Sequence, residues 1–504
     1  MHTKQLDSES RRAFLQRSAQ LAFTGVALPT VLNLAAMGEA AAFVAPTGSY
    51  KALVCIFLYG GCDYGNTVVT YDDPSYNLYS TIRGGGAGQT AGGIALAKAD
   101  LTATLLTPTA GSELPNGRQY AFHPAMTGLA GLFNSGKAAV QLNVGPLVVP
   151  LTKAQYKGSN RTLYPLPPKL FSHNDQQSLW QSSQPEGSTV GWGGKIGDLA
   201  LSSNPNSLFT CISITGNSVF LGGNSALAYQ ISTGGAVKIN CVNNNVYNSA
   251  TVKTTIAQLV QQSRNHVLEN EYNRVITRAI GAEGAITTGI GSGDALGTGT
   301  KFAPLNVSTL SNNGLASQLK MVARLIAARS SLGPKRQVFF VSAGGFDLHD
   351  GLIANQQNNL QAVSDAMTAF YQTTANLGVD QYVTSFTASD FGRTLASNGD
   401  GTDHGWGSHH IMVGGAVNGA KFYGYAPPVS VGSTAAAEDQ WHVGQGSLLP
   451  TTSVDQYAAT LATWFGVEAN ELAGILPNLN NFGVTAPSGI SYPKDLGFMN
   501  NFIP

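Results

Sequence analysis

A chain of 504 residues, 43% of them hydrophobic, can bury a large core, and by length alone would allow two or three domains. Only 11% of the residues are charged, and 28 basic residues balance 28 acidic ones. That balance argues against a partner that demands a basic surface, such as nucleic acid or an anionic membrane, while loops rich in Gly, Ser, Thr, Asn and Gln suit an exported protein.

The N-terminal stretch "SESRRAFLQRSAQLAFTGVALPTVLNLAAMGEAAAFVAP" sets Arg11-Arg12 ahead of a mildly apolar run that ends in small residues at Ala40 to Ala42. This is the pattern of a twin-arginine leader with a cleavage region, expected to cover residues 1–42, and Pro29 argues against a stable membrane span. Export by the twin-arginine machinery carries proteins that fold first, often around a cofactor. Residues 43–504 then read as one α/β domain with insertions near 82–118 and 216–300. No span is expected in the mature chain.

"KALVCIFLYGG" (51–61) is an apolar run that predicts a buried parallel strand. Residues 82–99 are Gly-rich and predict a loop. "HPAMTGLAGLFNSGK" predicts a helix opened by Pro124 and closed near Gly136, followed by a strand "AAVQLNVG". A helix starts at "NDQQSLWQSS", a strand at "LFTCISI", and a small β insertion is expected at about 216–248. Residues 250–281 predict one long helix, 281–300 a Gly-rich linker, and "LASQLKMVARLIAARSSLG" another helix. Strand "RQVFFVSAGG", helix "IANQQNNLQAVSDAMTAFYQTTANLG" and strands "YVTSFTASDFG" and "HHIMVGGAV" complete the order. Alternating strands and helices predict a doubly wound, mostly parallel sheet with helices on both faces and Gly-rich insertions. Of the four cysteines, Cys211 and Cys241 are candidates for a disulfide, and no CxxC spacing points to a thiolate metal site.

Ligands of open parallel sheets bind outside the carboxyl ends of the strands. Asp63 and Asn66 follow the first strand in "GGCDYGN". Asp347 and His349 follow "VFFVSAGG", and Asp390 and Arg393 follow "YVTSFTA". Asp403, His404, His409 and His410 lie in or just after "NGDGTDHGWGSHHIMVGG". Carboxylates with neutral imidazoles suit divalent metal ions, Zn or Mn foremost, and a pair of ions can clamp an ester oxyanion. Adjacent residues of a strand face opposite ways, so at most one of His409 and His410 faces this edge, His409 being preferred. Arg393 is a candidate for holding a phosphate or sulfate, Asp390 with Arg393 can equally form a structural ion pair, and Asp63 can serve its own turn. In "KLFSHNDQQSLWQSS", Ser172 is a candidate nucleophile at a helix N-terminus, activated by a metal or by His173; it can also be only the cap.

The leader, "FLYGGCDYGNTVV", "FHPAMTGLAGLFNSGKAAVQLNVG", "FSHNDQQSLWQ", "GWGGKIGDLA", "GGFDLHDG", "SDFGRTLASNGDGTDHG" and "VGGAVNGAKFYG" occur in an order that resembles the twin-arginine-exported family called domain of unknown function 1501. That family is similar, distantly, to the alkaline phosphatase and sulfatase superfamily. The resemblance implies an alkaline-phosphatase-like core and a metal set of Asp63, Asp347, His349, Asp403 and His404, completed by His409 or His410. Two departures stand out: "DLH" spaces its pair more tightly than the superfamily does, and no segment matches the nucleophile motif, the sulfatase Cys-x-Pro-Ser-Arg included. Two readings follow. One is a periplasmic or secreted metal-dependent hydrolase of a phosphate or sulfate ester, small-molecule or glycan-borne, with Ser172 attacking and Arg393 steadying the anion. The other is a non-catalytic exported protein that uses the same fold to bind glycans or cell-envelope components.

Overall fold

The computed structural model describes residues 50–85, 93–296, 300–486 and 489–500. The expected leader, at 1–42, and residues 86–92 of the expected Gly-rich loop lie outside the described residues. β1 (Lys51–Leu58) is buried after its first residue, as the apolar run requires of a central strand. β2 (Val68–Thr70) and β3 (Tyr120–Phe122) form a separate antiparallel pair. The main sheet adds β4 (Ala138–Gly145), β5 (Cys211–Ser213), β6 (Tyr229–Gln230), β7 (Arg336–Ala343) and β8 (Val383–Ser389). It is completed by β9 (Ser408–Gly414), β10 (Phe422–Tyr423) and β11 (Thr452–Ser453). A short antiparallel pair, β12 (Val484–Thr485) with β13 (Ser491–Tyr492), lies near the C-terminus.

The nine strands run in the order β10-β4-β9-β8-β1-β7-β5-β6, with β11 also on β4. All pairings in it are parallel except those of β9, which is antiparallel to β4 and to β8. The expected parallel order fails at β9 for a physical reason. Residues 390–407 contain no helix to carry the chain back across the sheet, so the strand returns beside β8 in the opposite sense. The start of β9 therefore lies at the edge where β8 ends.

Side chains alternate across β1 into two cores, so helices cover both faces. Ala52, Val54, Ile56 and Leu58 join Phe133, Leu319, Val322 and Met367, from the helices Thr127–Asn134, Gly314–Ala327 and Leu352–Asn376. Leu53, Cys55 and Phe57 join Trp180, Trp192, Ile196 and Tyr457, from His173–Ser182, Trp192–Ala200 and Val454–Phe465. The chain is thus α/β, with a large mixed, mostly parallel sheet between helices.

Three expectations are corrected between the cores. The β insertion at 216–248 reduces to Tyr229–Gln230 on the sheet edge and a helical turn at Asn240–Asn243. The single helix at 250–281 is two, Ala250–Leu259 and Val267–Leu296. At the break Asn270 Oδ1 accepts the Arg264 N–H (3.0 Å) and Asn273 Nδ2 donates to the Gln262 carbonyl (2.7 Å), side chains replacing helical backbone partners. The expected linker is helical to Leu296, because Ile286 and Ile290 are buried in the core shared with the helix Gly314–Ala327. A Cβ on Gly289 would sit 2.7 Å from Leu332 Cδ2, so the poor helix former is what lets the helices approach. Cys211 and Cys241 are both free, Cys211 buried within β5.

Burial pushes His409 and His410 down to about 3 and His123 down to about 4, from a usual value of 6.5. The unfolded chain then binds protons below pH 6.5 that the folded chain refuses, so their contribution to stability is complete above that pH and is lost as pH falls towards 3. His410, whose Nε2 has no hydrogen-bond partner beside Trp180, is the cleanest probe. Urea unfolding between pH 4 and pH 7 is expected to show stability falling with acid, with His410→Leu reducing that slope by about 1.4 kcal/mol per pH unit.

Candidate metal centre

The ends of β1, β7 and β8, the start of β9 and the helix His173–Ser182 bring polar side chains to one edge of the sheet. Asp347 and His349 leave β7, Asp390 and Arg393 leave β8, and Asp403 and His404 return the chain to β9. Main-chain pairing locks the loops together, Cys62 with Gly392 and Arg393 with His404. His173 is the first residue of its helix.

Asp347 stands at the centre. Its Oδ1 accepts from Arg393 Nη1 at 2.6 Å, and lies 3.1 Å from His349 Nε2 and 3.3 Å from His404 Nε2. Its Oδ2 lies 3.3 Å from His173 Nε2, and His349 Nε2 lies 3.1 Å from His404 Nε2. Each imidazole turns its other nitrogen to an oxygen. His173 Nδ1 meets Asp390 Oδ2 at 2.7 Å, His404 Nδ1 meets the Phe171 carbonyl at 2.8 Å, and His349 Nδ1 lies 3.4 Å from Asp403 Oδ1. A carbonyl oxygen only accepts, so His404 carries its proton on Nδ1 and aims the Nε2 lone pair at Asp347. Asp390 Oδ2 also receives the Gly60 N–H (3.2 Å) and Gln177 Nε2 (2.9 Å), so His173 Nδ1 is a donor too.

Lone pairs of His404 Nε2 and Asp347 Oδ1 facing each other at 3.3 Å repel unless a cation or a shared proton lies between them. Tetrahedral ligands about 2.1 Å from a zinc ion stand about 3.4 Å apart, close to the spacings around Asp347. Among the described residues, His173, Asp347 and His404 form one group whose ligand atoms all lie within 4.8 Å of one another. His349 adds a fourth ligand atom, a third nitrogen, at its margin. The side chains are open on one side, with Asp347 44% and His349 46% exposed, while the Phe391 ring packs against His173 (4.8 Å) and His404 (4.6 Å) from behind. Phe171 adopts φ 72°, a left-handed backbone that costs a bulky residue on the order of 1–3 kcal/mol, and this conformation presents its carbonyl to His404.

The hydrogen bond to Asp390 raises the pKa of His173, whereas burial lowers that of His404, which favours its neutral, ligating form. Burial pushes the Asp347 carboxyl up, but the hydrogen bond and charge of Arg393, with His173 and His349, outweigh it and hold the carboxyl below its ordinary value.

Other sequence candidates are placed elsewhere. Asp63 does not join the cluster: Arg83, fully buried, grips it through Nη2–Oδ1 (2.5 Å) and Nη1–Oδ2 (2.7 Å). That guanidinium also donates to the Thr394 and Leu395 carbonyls, so the pair ties the helix Asp73–Arg83 to the loop after β8. His409 and His410 do face opposite ways, but neither reaches the cluster; His409 packs against Tyr64 and Tyr120, His410 against Trp180 and Tyr457. Ser172 is the N-cap residue of its helix, but its Oγ donates to Asp175 Oδ2 (2.9 Å) and makes no side-chain cap hydrogen bond. Arg393 is buried and donates to Asp347, the Gly60 carbonyl and both Thr402 oxygens, so it fixes a carboxylate rather than receiving an anion. Asp390 pairs with His173, not with Arg393. His173 is the residue that reasoning from strand ends misses, since it arrives on a helix; the adjacent "SHND" was its only signal.

A family model described as a protein of unknown function, DUF1501, matches residues 50–449. The chain belongs to the DUF1501 family. No curated protein matches it. Every residue of the cluster falls within the DUF1501 match, and the helix Val454–Phe465, which backs the second core, lies beyond it.

Losing an outer carboxylate typically weakens a metal site about 10- to 100-fold. Asp390→Asn is therefore expected to raise the zinc dissociation constant by that factor in a chelator competition. Arg83→Met strands Asp63 without its partner, and is expected to cost about 3–5 kcal/mol in urea unfolding while leaving zinc affinity within about threefold, since the pair touches no member of the cluster.

Proposed function

We propose that this DUF1501 protein is an exported metal-dependent hydrolase of phosphate or sulfate esters, distantly related to the alkaline phosphatases and sulfatases. One observation carries the reading. Imidazole nitrogens of His173, His349 and His404 converge on Asp347 while oxygen acceptors hold the opposite ring nitrogens. Two or three imidazoles with one carboxylate, spaced at 3.1–3.3 Å, fit Zn or Mn by donor type and by distance. A divalent ion held there supplies Lewis acidity to an ester oxygen.

The chain's own groups then divide the work. His173, Asp347 and His404 hold the charge, while Asp390 and the Phe171 carbonyl keep two of the rings in register. His349, exposed and beside Asp403, is placed to take a proton from attacking water and return it to the departing ester oxygen. The ester bond to phosphorus or sulfur breaks as the bond to the water oxygen forms. Water replaces Ser172 as the attacking group, because the Ser172 hydroxyl is committed to Asp175.

That same commitment favours the second reading, a non-catalytic exported protein that uses this fold to bind glycan or cell-envelope material. Both readings share export to the periplasm or beyond, supported by Arg11-Arg12 and the small-residue stretch in the leader. No helix of the described residues is long and apolar enough to cross a membrane.

Elemental analysis of the purified protein is expected to give about one equivalent of zinc or manganese, at least halved by His404→Ala. Under half an equivalent, unaffected by the substitution, would end the hydrolase reading. With metal present, aryl phosphates, aryl phosphodiesters and aryl sulfates are the substrates to assay. Turnover that falls more than about 100-fold in His173→Ala and stays within about threefold in Ser172→Ala supports water as the attacking group. No turnover on any of the three classes leaves the binding reading.

A further inference from the structure

The helix Val267–Leu296 carries one apolar seam, only half of which the molecule covers. Leu268, Tyr272, Val275 and Ala279 recur at spacings of four, three and four residues. Ala282, Ile286, Gly289 and Gly293 continue the same alternation, which keeps all of them on one side of the helix. The second half of the seam is used internally. Ala282 and Ile286 are buried, and a Cβ on Gly293 would fall 2.9 Å from the Arg324 carbonyl oxygen, so the helix Gly314–Ala327 lies directly against it. The first half projects past that cover: Leu268 is 74%, Tyr272 63% and Val275 47% exposed, and Ala279 is exposed as well. Its support comes from the opposite side, where Asn273 is buried and donates to the Gln262 carbonyl (2.7 Å).

Apolar side chains scattered singly over a surface need no partner, but large ones on successive turns of one helix face mark an interface. The charges beside this face say which partner fits. Glu271 directly precedes Tyr272 and Arg278 directly precedes Ala279, seven residues on, so both flank the seam on the same side. Within the chain Glu271 Oε1 lies 3.1 Å from Arg278 Nη2, and its Oε2 lies 3.4 Å from Arg274 Nη1. Glu271 and Arg278 are each more than half exposed, so their pairing contributes little and can be exchanged for a pairing outside the chain. The acid stands towards one end of the exposed half and the base towards the other. Such a face complements itself when a second copy is turned end for end.

We infer that the exposed half of this seam is a self-association surface, which pairs with the same half of a second copy as an antiparallel two-helix contact. A twofold axis level with Asn273 and Arg274 sets Leu268 against the partner's Ala279 and Tyr272 against the partner's Val275, and brings Glu271 beside the partner's Arg278. A parallel pairing brings Glu271 beside the partner's Ile276 instead, and gives it no cation from the other copy. The contact is about three helical turns long, short of the ~800 Å² per partner of a standard interface. The dimer is therefore weak, half formed on the order of 10–100 μM.

Sedimentation equilibrium of the whole protein, from about 1 to about 500 μM, reads this association directly. The mass is expected to rise from one chain towards two, and Tyr272→Ser to raise the dissociation constant at least about tenfold. Glu271→Arg and Arg278→Glu are each expected to raise it about three- to tenfold, and the double reversal to return it to within about twofold of the parent. All three positions are exposed, so the far-ultraviolet circular dichroism of every variant is expected to match the parent, which separates a lost contact from a lost helix. A mass of one chain throughout, a dimer that Tyr272→Ser leaves intact, or a dimer indifferent to Glu271→Arg overturns the proposal. None of these residues belongs to the cluster around Asp347, so metal content and turnover do not depend on the outcome, and a failure here is distinct from a failure of the hydrolase reading.

Discussion

A single buried guanidinium holds the candidate centre together. Arg393 is fully shielded from solvent and reaches the Gly60 carbonyl after β1, Asp347 after β7 and both oxygens of Thr402 in the loop before β9. An arginine taken out of water is stable only when its donors find acceptors, so the three loops must converge or the charge is stranded. Asp347 is thereby pinned as an anion from behind, and its remaining faces are left to the imidazoles. Everything else at this edge is arranged around a carboxylate that cannot swing away.

The sheet and the centre were legible in the sequence to different depths. Strands such as Lys51–Leu58 announce themselves as apolar runs, and the rule that ligands gather at strand ends leads to Asp347, His349, Asp403 and His404, which the structure does bring together. Asp63 obeys the same rule yet goes elsewhere, because what decides its role is Arg83, on a helix beyond a turn whose geometry no local pattern encodes. The reversal of β9 was hidden for a related reason: strand direction depends on whether the connecting segment can cross the sheet, which composition alone does not state. The glycines from 281 to 296 read as a linker when only propensity is weighed, and fold as helix once neighbouring helices make small residues an asset.

Two adjacent histidines illustrate how one strand serves two interiors. His410 is held among Trp180, Tyr457 and Thr387 on one face, while His409 meets Tyr64, Tyr120 and the Asn143 amide on the other. Both are buried inside the sheet, and neither reaches the edge where the cluster lies. The candidate ligands instead come from loops and a helix end, where side chains can be aimed without the alternation a strand imposes.

Gly60 follows β1 where that strand meets the end of β7. Its backbone sits at φ 118°, and a Cβ built there would fall 2.2 Å from the Asp347 amide nitrogen. The ends of β1 and β7 are therefore closer together than any side chain permits, and the carboxylate inherits its position from that contact. In engineering terms the joint has zero clearance: a hydrogen atom is the gauge block that sets it, and a single methyl group would have to be accommodated by moving the carboxylate on which three imidazoles are aligned.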